Sequence, residues 1–188
     1  MAGAHPNSKV TAKDWDDAAM RRLVRDGVNQ VKILTLANEL EVSRSSFYWY
    51  FKDRAALLDA LLDHWQATNT AAIVTAAEAT AETINEAIAN ILVAMIHDGH
   101  FDNALDFAVR DWSRRDPNVK AVLDSSDTRR VQAIAETFSR FNYQHPDALV
   151  RARVLYYMQI GYTDADLREP MENRAALTAP YLLSFTGQ

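Results

Sequence analysis

The stretch that decides the fold is Thr35-Leu-Ala-Asn-Glu-Leu-Glu-Val-Ser-Arg-Ser-Ser-Phe-Tyr-Trp-Tyr-Phe-Lys-Asp-Arg54. Leu36, Ala37 and Leu40 recur at i, i+1 and i+4, which is one face of a short helix. Val42 closes that face. Ser43 follows, where its hydroxyl is expected to accept a free backbone N–H of a second helix's first turn. Phe47 and Phe51, four apart, give the second helix an apolar stripe. Its other face carries Arg44, Ser45, Ser46, Tyr48, Trp49 and Tyr50. Two short helices joined by a tight turn, the second with an exposed polar and aromatic face, read as a helix-turn-helix.

Leu36-Ala37, Val42-Ser43, Phe47 to Lys52 and Leu57-Leu58 resemble the DNA-binding domain of the TetR family of transcriptional regulators, over residues 10–65. A glycine is usual in the turn, where this chain has Glu41, and a Thr or Ser usually opens the first helix, where it has Lys32. If Glu41 takes a left-handed backbone conformation, it carries strain that glycine would avoid. The resemblance implies a homodimer that binds a palindromic double-stranded operator. It also implies a small-molecule effector, and repression rather than activation.

The physical reading of the second helix agrees. An ordinary amphipathic helix leaves Tyr48-Trp49-Tyr50 unexplained, because Phe47 and Phe51 already supply its buried face. Hydroxyls and the indole N–H can donate to phosphates, while Arg44 and Ser45 sit at the N-terminal end, where base edges are read. The candidate DNA-binding residues are Lys32, Ser43, Arg44, Ser45, Ser46, Tyr48, Trp49, Tyr50, Lys52 and Arg54. The net charge of −5 is unevenly placed. Residues 1–65 hold 9 Lys+Arg and 9 Asp+Glu, and residues 66–188 hold 11 and 16. The acidic excess lies wholly outside the helix-turn-helix, which leaves a local positive patch for DNA.

The remaining segments read as helices, and the expected fold is all-α with about nine of them. Thr11 and Asp14 form a capping box for a helix through Trp15 and Leu23, with Gly27 as its stop. The next helix is expected to start near Ile33. Asp53 caps a long helix from Arg54 to Ala77, and Thr80 opens another that ends at Gly99. A helix follows from Asp102. Asp116-Pro117 begins one reaching Phe141, with a polar stretch from Ser125 to Arg130 that could interrupt it. His145-Pro146 opens a helix that is apolar nearly all round from Val154 to Tyr162. Glu169-Pro170 starts the last, bent at Pro180. The expected division is residues 1–53 for DNA binding and 54–188 for effector binding and dimerisation, with the helix of residues 54–77 linking the two.

The chain has no cysteine, which excludes disulfides and thiolate metal sites. Met1 to Lys9 has no apolar run and the longest apolar runs are short of a membrane span, so the expectation is a cytoplasmic protein without membrane contact. His97 and His100 are the only close histidine pair, and solvated helix-end residues describe them better than metal ligands. There is no nucleophile elbow, glycine-rich phosphate loop or zincin motif, so neither an enzyme nor a cofactor is expected. Met95, Phe107, Arg110, Trp112, Phe138 and Gln159 are the candidate effector pocket. Arg110 could meet an acidic or carbonyl group of a mainly apolar ligand, or simply pair with Asp111 or backbone groups. Tyr157, Ile160 and Gly161 are the candidate dimer interface. The rival reading is a helical ligand-binding or interaction protein whose helix-turn-helix no longer reads DNA.

Overall fold

The computed structural model describes residues 10–96, 101–165 and 170–188, apart from the side chains of Met171, Arg174 and Ala175. Among these residues there are ten α-helices and no strand. They form two compact units, Met1–His64 and Trp65–Gln188. The boundary falls inside the long linking helix.

In the first unit α1 spans Ala12–Asp26. Thr11 and Asp14 close the capping box from both sides, and Gly27 at φ 79° ends the helix as its C-cap. A 3₁₀ turn, Val28–Gln30, leads to α2, Ile33–Glu39, and α3, Arg44–Phe47. Thus α2 starts at the earlier of the two candidate positions, and Lys32, its N-cap, gives no side-chain cap. Glu41 lies at φ 55°, the left-handed conformation that its place in the turn demanded. Ser43 is the N-cap of α3, but its hydroxyl caps no backbone N–H. It meets the Ser45 hydroxyl at 2.9 Å instead. The core is built from Trp15, Leu23, Leu36 and Phe47, all essentially inaccessible. Trp15 meets Phe47 edge-on at 5.2 Å, and Phe51 stacks on Phe47 at 5.4 Å. Removing a ring such as Phe47 from this site costs about 3–5 kcal/mol.

The linking helix runs unbroken through α4, Arg54–Trp65, a π-helical stretch, Gln66–Thr70, and α5, Ala71–Glu78. Counted as one, it brings the described helical segments to nine. Asp53 opens it by accepting from the Ala56 N–H at 2.9 Å.

In the second unit α6 is Ile84–Ile96, α7 Asn103–Ser113, α8 Pro117–Arg140, α9 Asp147–Asp164 and α10 Met171–Thr186. Helix α6 begins later than Thr80, because Thr83 is the residue whose hydroxyl accepts from the Glu86 N–H. Asp102 and Asp116 cap α7 and α8 as expected. Helix α8 crosses Ser125–Arg130 without interruption. Ser126 and Arg130 turn inward there and find polar partners inside the unit. Helix α8 is the centre of the unit and packs on α5, α6, α7 and α9, while α10 covers α6 and α9. The apolar core joins Ile73, Ile88, Ile91, Met95, Ile134, Phe138, Leu155 and Phe185. No helix among the described residues is long and apolar enough to cross a membrane. No group of three metal-ligating side chains occurs among them, and His97 and His100 lie outside them.

Candidate nucleic-acid interface

Helix α3 is one turn and a half long, and its register separates two surfaces. Phe47 is fully buried, whereas Tyr48 is 49% exposed and Trp49 79% exposed. Arg44, Ser45 and Lys52 are exposed, as is Lys32 at the start of α2. An indole this open beside two cations has no role in its own unit's packing and is available to a partner. Ser46 donates to the Ser43 carbonyl at 2.7 Å, and the Arg44 guanidinium reaches the Tyr48 hydroxyl at 3.5 Å. These contacts tie the surface together locally while leaving its outward side open.

Two of the expected DNA-binding side chains are used internally. Arg54 is half-buried, with Nε donating to the Val31 carbonyl and Nη2 to the Val28 carbonyl, each at 2.5 Å. It ties down the 3₁₀ turn before α2 and is not the free cation expected of it. The Tyr50 hydroxyl donates to the Val10 carbonyl at 2.5 Å, so it anchors the start of the chain's first described segment. The sequence gave no sign of either, because both acceptors are backbone groups remote along the chain.

The six expected pocket residues do not line a common cavity. Met95 and Phe138 are core members, 1% and 0% exposed. Trp112 and Gln159 are buried, and Phe107 is partly exposed. Arg110 lies in a closed polar cluster rather than facing a vacant site. It forms a bidentate pair with Asp127 at 2.8 and 2.9 Å, and its Nε donates to Asp106 at 2.8 Å. Its partners are therefore Asp106 and Asp127, not Asp111. Arg130, fully buried, donates to Asp106 at 3.0 Å, to the Tyr156 hydroxyl at 3.0 Å and to Thr70 at 3.1 Å. The Trp65 indole donates to Asp106 at 2.9 Å, and Tyr156 donates to Asp127 at 2.7 Å. Two arginines face two aspartates, so the cluster is neutral.

Burial works against the charge on Arg110, but Asp127 and Asp106 outweigh it and hold its pKa above the ordinary arginine value. Burial likewise pushes the Tyr156 phenol above the usual tyrosine range, against the pull of Arg130. The guanidinium of Arg130 lies 4.7 Å from the Trp65 ring centre and 5.4 Å from that of Phe101. Its Nη2 is buried and has no hydrogen-bond partner. An open groove of about 500 Å³ lies elsewhere, along α5 and α6, lined by residues including Thr68, Ala72, Thr75, Asn90 and Val93.

On α9, Val150, Val154 and Tyr157 are each more than half exposed, at spacings of four and three that put them on one face. Gly161 continues that row, and a Cβ there would meet nothing within 4 Å. Ile160 is partly buried against the core. On α10, Leu183 is 57% exposed and Leu177 38%.

Residues 17–61 match the family model described as bacterial regulatory proteins, tetR family. No curated protein matches the chain. Among solved structures, the chain is similar in fold to Salmonella enterica GusR, with TM-score 0.68 and 15% identity over 94% of this chain and 95% of that one. It is also similar to the superantigen PfiT, with TM-score 0.67 and 18% identity over 96% and 97%. A third is a putative TetR-family transcriptional regulator from Rhodococcus sp., with TM-score 0.65 and 16% identity over 94% and 96%. These identities speak to the fold alone, whereas the family model covers α2, α3 and most of α1 and α4. By that N-terminal domain, the chain belongs to the TetR family of bacterial regulatory proteins.

Proposed function

We propose that the protein is a dimeric repressor that holds a palindromic operator through two copies of α3 and leaves it when a small effector binds the second unit. The observation that carries this reading is the surface of α3. Its one buried ring, Phe47, is opposed by exposed Arg44, Ser45, Tyr48, Trp49 and Lys52. One such surface is too small for a specific site, and a two-fold dimer supplies a second at about 34–36 Å or a multiple along the groove. The exposed Val150, Val154, Tyr157 face of α9 and the exposed leucines of α10 support dimerisation there, with Gly161 leaving room for close approach. Arg44 and Ser45 read base edges, while Tyr48, Trp49 and Lys52 hold phosphates. The effector is mainly apolar and enters beside Phe107 and Trp112. Arg110 is already paired with two carboxylates, so a charged ligand group finds no free cation in it.

The test is fluorescence anisotropy with the DNA flanking the protein's own gene. Arg44→Ala is expected to reduce the preference for operator over random DNA by about 1–3 kcal/mol. Lys52→Ala is expected to weaken binding to all sequences alike and to lower the salt slope by about one. If Arg44→Ala changes neither affinity nor preference, α3 does not read DNA in this way.

A further inference from the structure

The linking helix carries a feature that DNA reading does not require. Leu57, Leu61, Trp65, Asn69, Ile73 and Ala77 follow one another at a constant spacing of four, and each is at most 1% exposed. In a regular α-helix such a row turns about 40° per step, or about 200° over its five steps, and so passes to the opposite face. The π stretch Gln66–Thr70 underwinds the helix in mid-row and keeps these side chains inward. Its own residues favour the departure, because Thr68, Asn69 and Thr70 are poor α-helix formers.

Tertiary contacts hold the stretch in this register. The two ends of the Asn69 amide pair with Asp102, the Oδ1 accepting from its N–H at 3.2 Å and the Nδ2 donating to its carbonyl at 2.8 Å. Thr70 accepts from Arg130 at 3.1 Å, and Gln66 donates to Ser126 at 3.3 Å. Trp65, immediately before the stretch, donates to Asp106. All these partners sit on α7 and α8 or at the cap of α7. The far end is fixed independently, since Thr137 and Arg140 of α8 both donate to the Ala77 carbonyl. Movement in the stretch is therefore transmitted toward α4, not toward α5.

We propose that Gln66–Thr70 is a two-state hinge, held in the π register by Asp102, Asp106, Ser126 and Arg130 and relaxing into the α register when those contacts loosen. Complete conversion displaces the preceding helix by one residue, about 100° of rotation and 1.5 Å of rise, so partial conversion turns α4 by a fraction of that. Any ligand that prefers one register shifts the population between them. The consequence at the operator rests on the reading under Proposed function, while the hinge itself does not.

The experiment measures amide hydrogen exchange over residues 66–74 in the full chain, in Asp106→Asn and Arg130→Lys, and in a variant lacking the exposed Ala67. Asp106→Asn keeps an acceptor for Trp65 but removes the charge that holds Arg130. Exchange is expected to quicken at least tenfold in both substitution variants. Deletion of Ala67 removes the extra residue and should give a folded protein with a protected, regular helix. In that background Asp106→Asn should change exchange less than twofold. Unchanged exchange in the two substitution variants, an unfolded deletion variant, or equal sensitivity with and without Ala67 would each overturn the hinge. Operator affinity is read separately and should fall at least tenfold in the deletion variant. Failure of the full chain to bind any operator counts against DNA reading and leaves the exchange result standing.

Discussion

The two units use arginine in opposite ways. In residues 12–64, Arg21 and Arg22 pair with Glu39 near the surface, Arg44 stays open, and the half-buried Arg54 donates only to neutral carbonyls. In residues 65–188, Arg110 and Arg130 are enclosed with Asp106 and Asp127. Surface pairs of the first kind contribute about 0–1 kcal/mol each. An enclosed charge cluster offers little net stability over an apolar core, yet removing one member leaves its partners unpaired in a poor solvent. The comparison assigns different work to the two units. The first keeps its polar groups available to a partner and relies on Trp15 and Phe47 for cohesion. The second uses charge to fix the register of one helix against its neighbours.

The largest effect is therefore expected from Arg110→Ala. It strips both aspartates of a partner and should cost about 3–5 kcal/mol. Arg21→Ala, whose side chain is 60% exposed, should cost no more than about 0.5 kcal/mol. Urea denaturation of the two variants makes the comparison. Equal losses would mean that the cluster behaves as a surface network and that the contrast between the units is false.

Legibility in the sequence divides along the same line. The capping box at Thr11, the caps at Asp53, Asp102 and Asp116, and the buried Phe47 follow from patterns a few residues long, and all are present. The left-handed Glu41 could be anticipated for the same reason, since the turn between two helices fixes its backbone. Asp106 and Arg110, four apart on one helix, also signalled their pairing, but Asp127 is seventeen residues away and carries no local signal. Arg54 and Tyr50 were assigned to phosphates because cationic and phenolic groups beside a recognition helix suit that role. Their actual acceptors are carbonyls of Val28, Val31 and Val10, which no residue pattern marks. The π stretch was visible only as a spacing of four sustained too long for an α-helix, a signal that requires knowing which residues are buried.

A smaller effect tests the first unit's backbone. Glu41 at φ 55° bears the cost of a left-handed conformation in a residue with a Cβ, about 1–2 kcal/mol, while glycine would add about 0.5–1 kcal/mol of chain entropy to folding. Glu41→Gly should raise stability by about 0.5–1 kcal/mol and leave the position of α3 unchanged. A loss of stability would show that the Glu41 side chain makes a contribution exceeding its strain.

The smallest effect concerns Asp16 on α1, the one carboxylate of the first unit that is held high. Burial raises its pKa above the ordinary aspartate value, Asp17 adds to this, and His64 and Lys13 offset part of it. Its Oδ1 is buried without a hydrogen-bond partner. Asp26 and Glu39 move the other way, because the arginines beside them outweigh their burial. The signs predict opposite dependences on pH. The native state binds the Asp16 proton more tightly than the unfolded chain does, so stability falls as pH rises from the ordinary aspartate pKa through the raised one. At neutral pH the full cost is present, and below both values it vanishes. Asp16→Asn should therefore raise Tm at pH 7, and its advantage should shrink as the pH is lowered through about 4. In the parent protein Asp26 and Glu39 lose their ion pairs over the same acid range, which lowers stability and masks the gain at Asp16. Only the difference between variant and parent, measured by thermal unfolding from pH 3 to pH 7, isolates Asp16. An advantage for Asp16→Asn that stays constant across that range would place its origin in packing instead of charge.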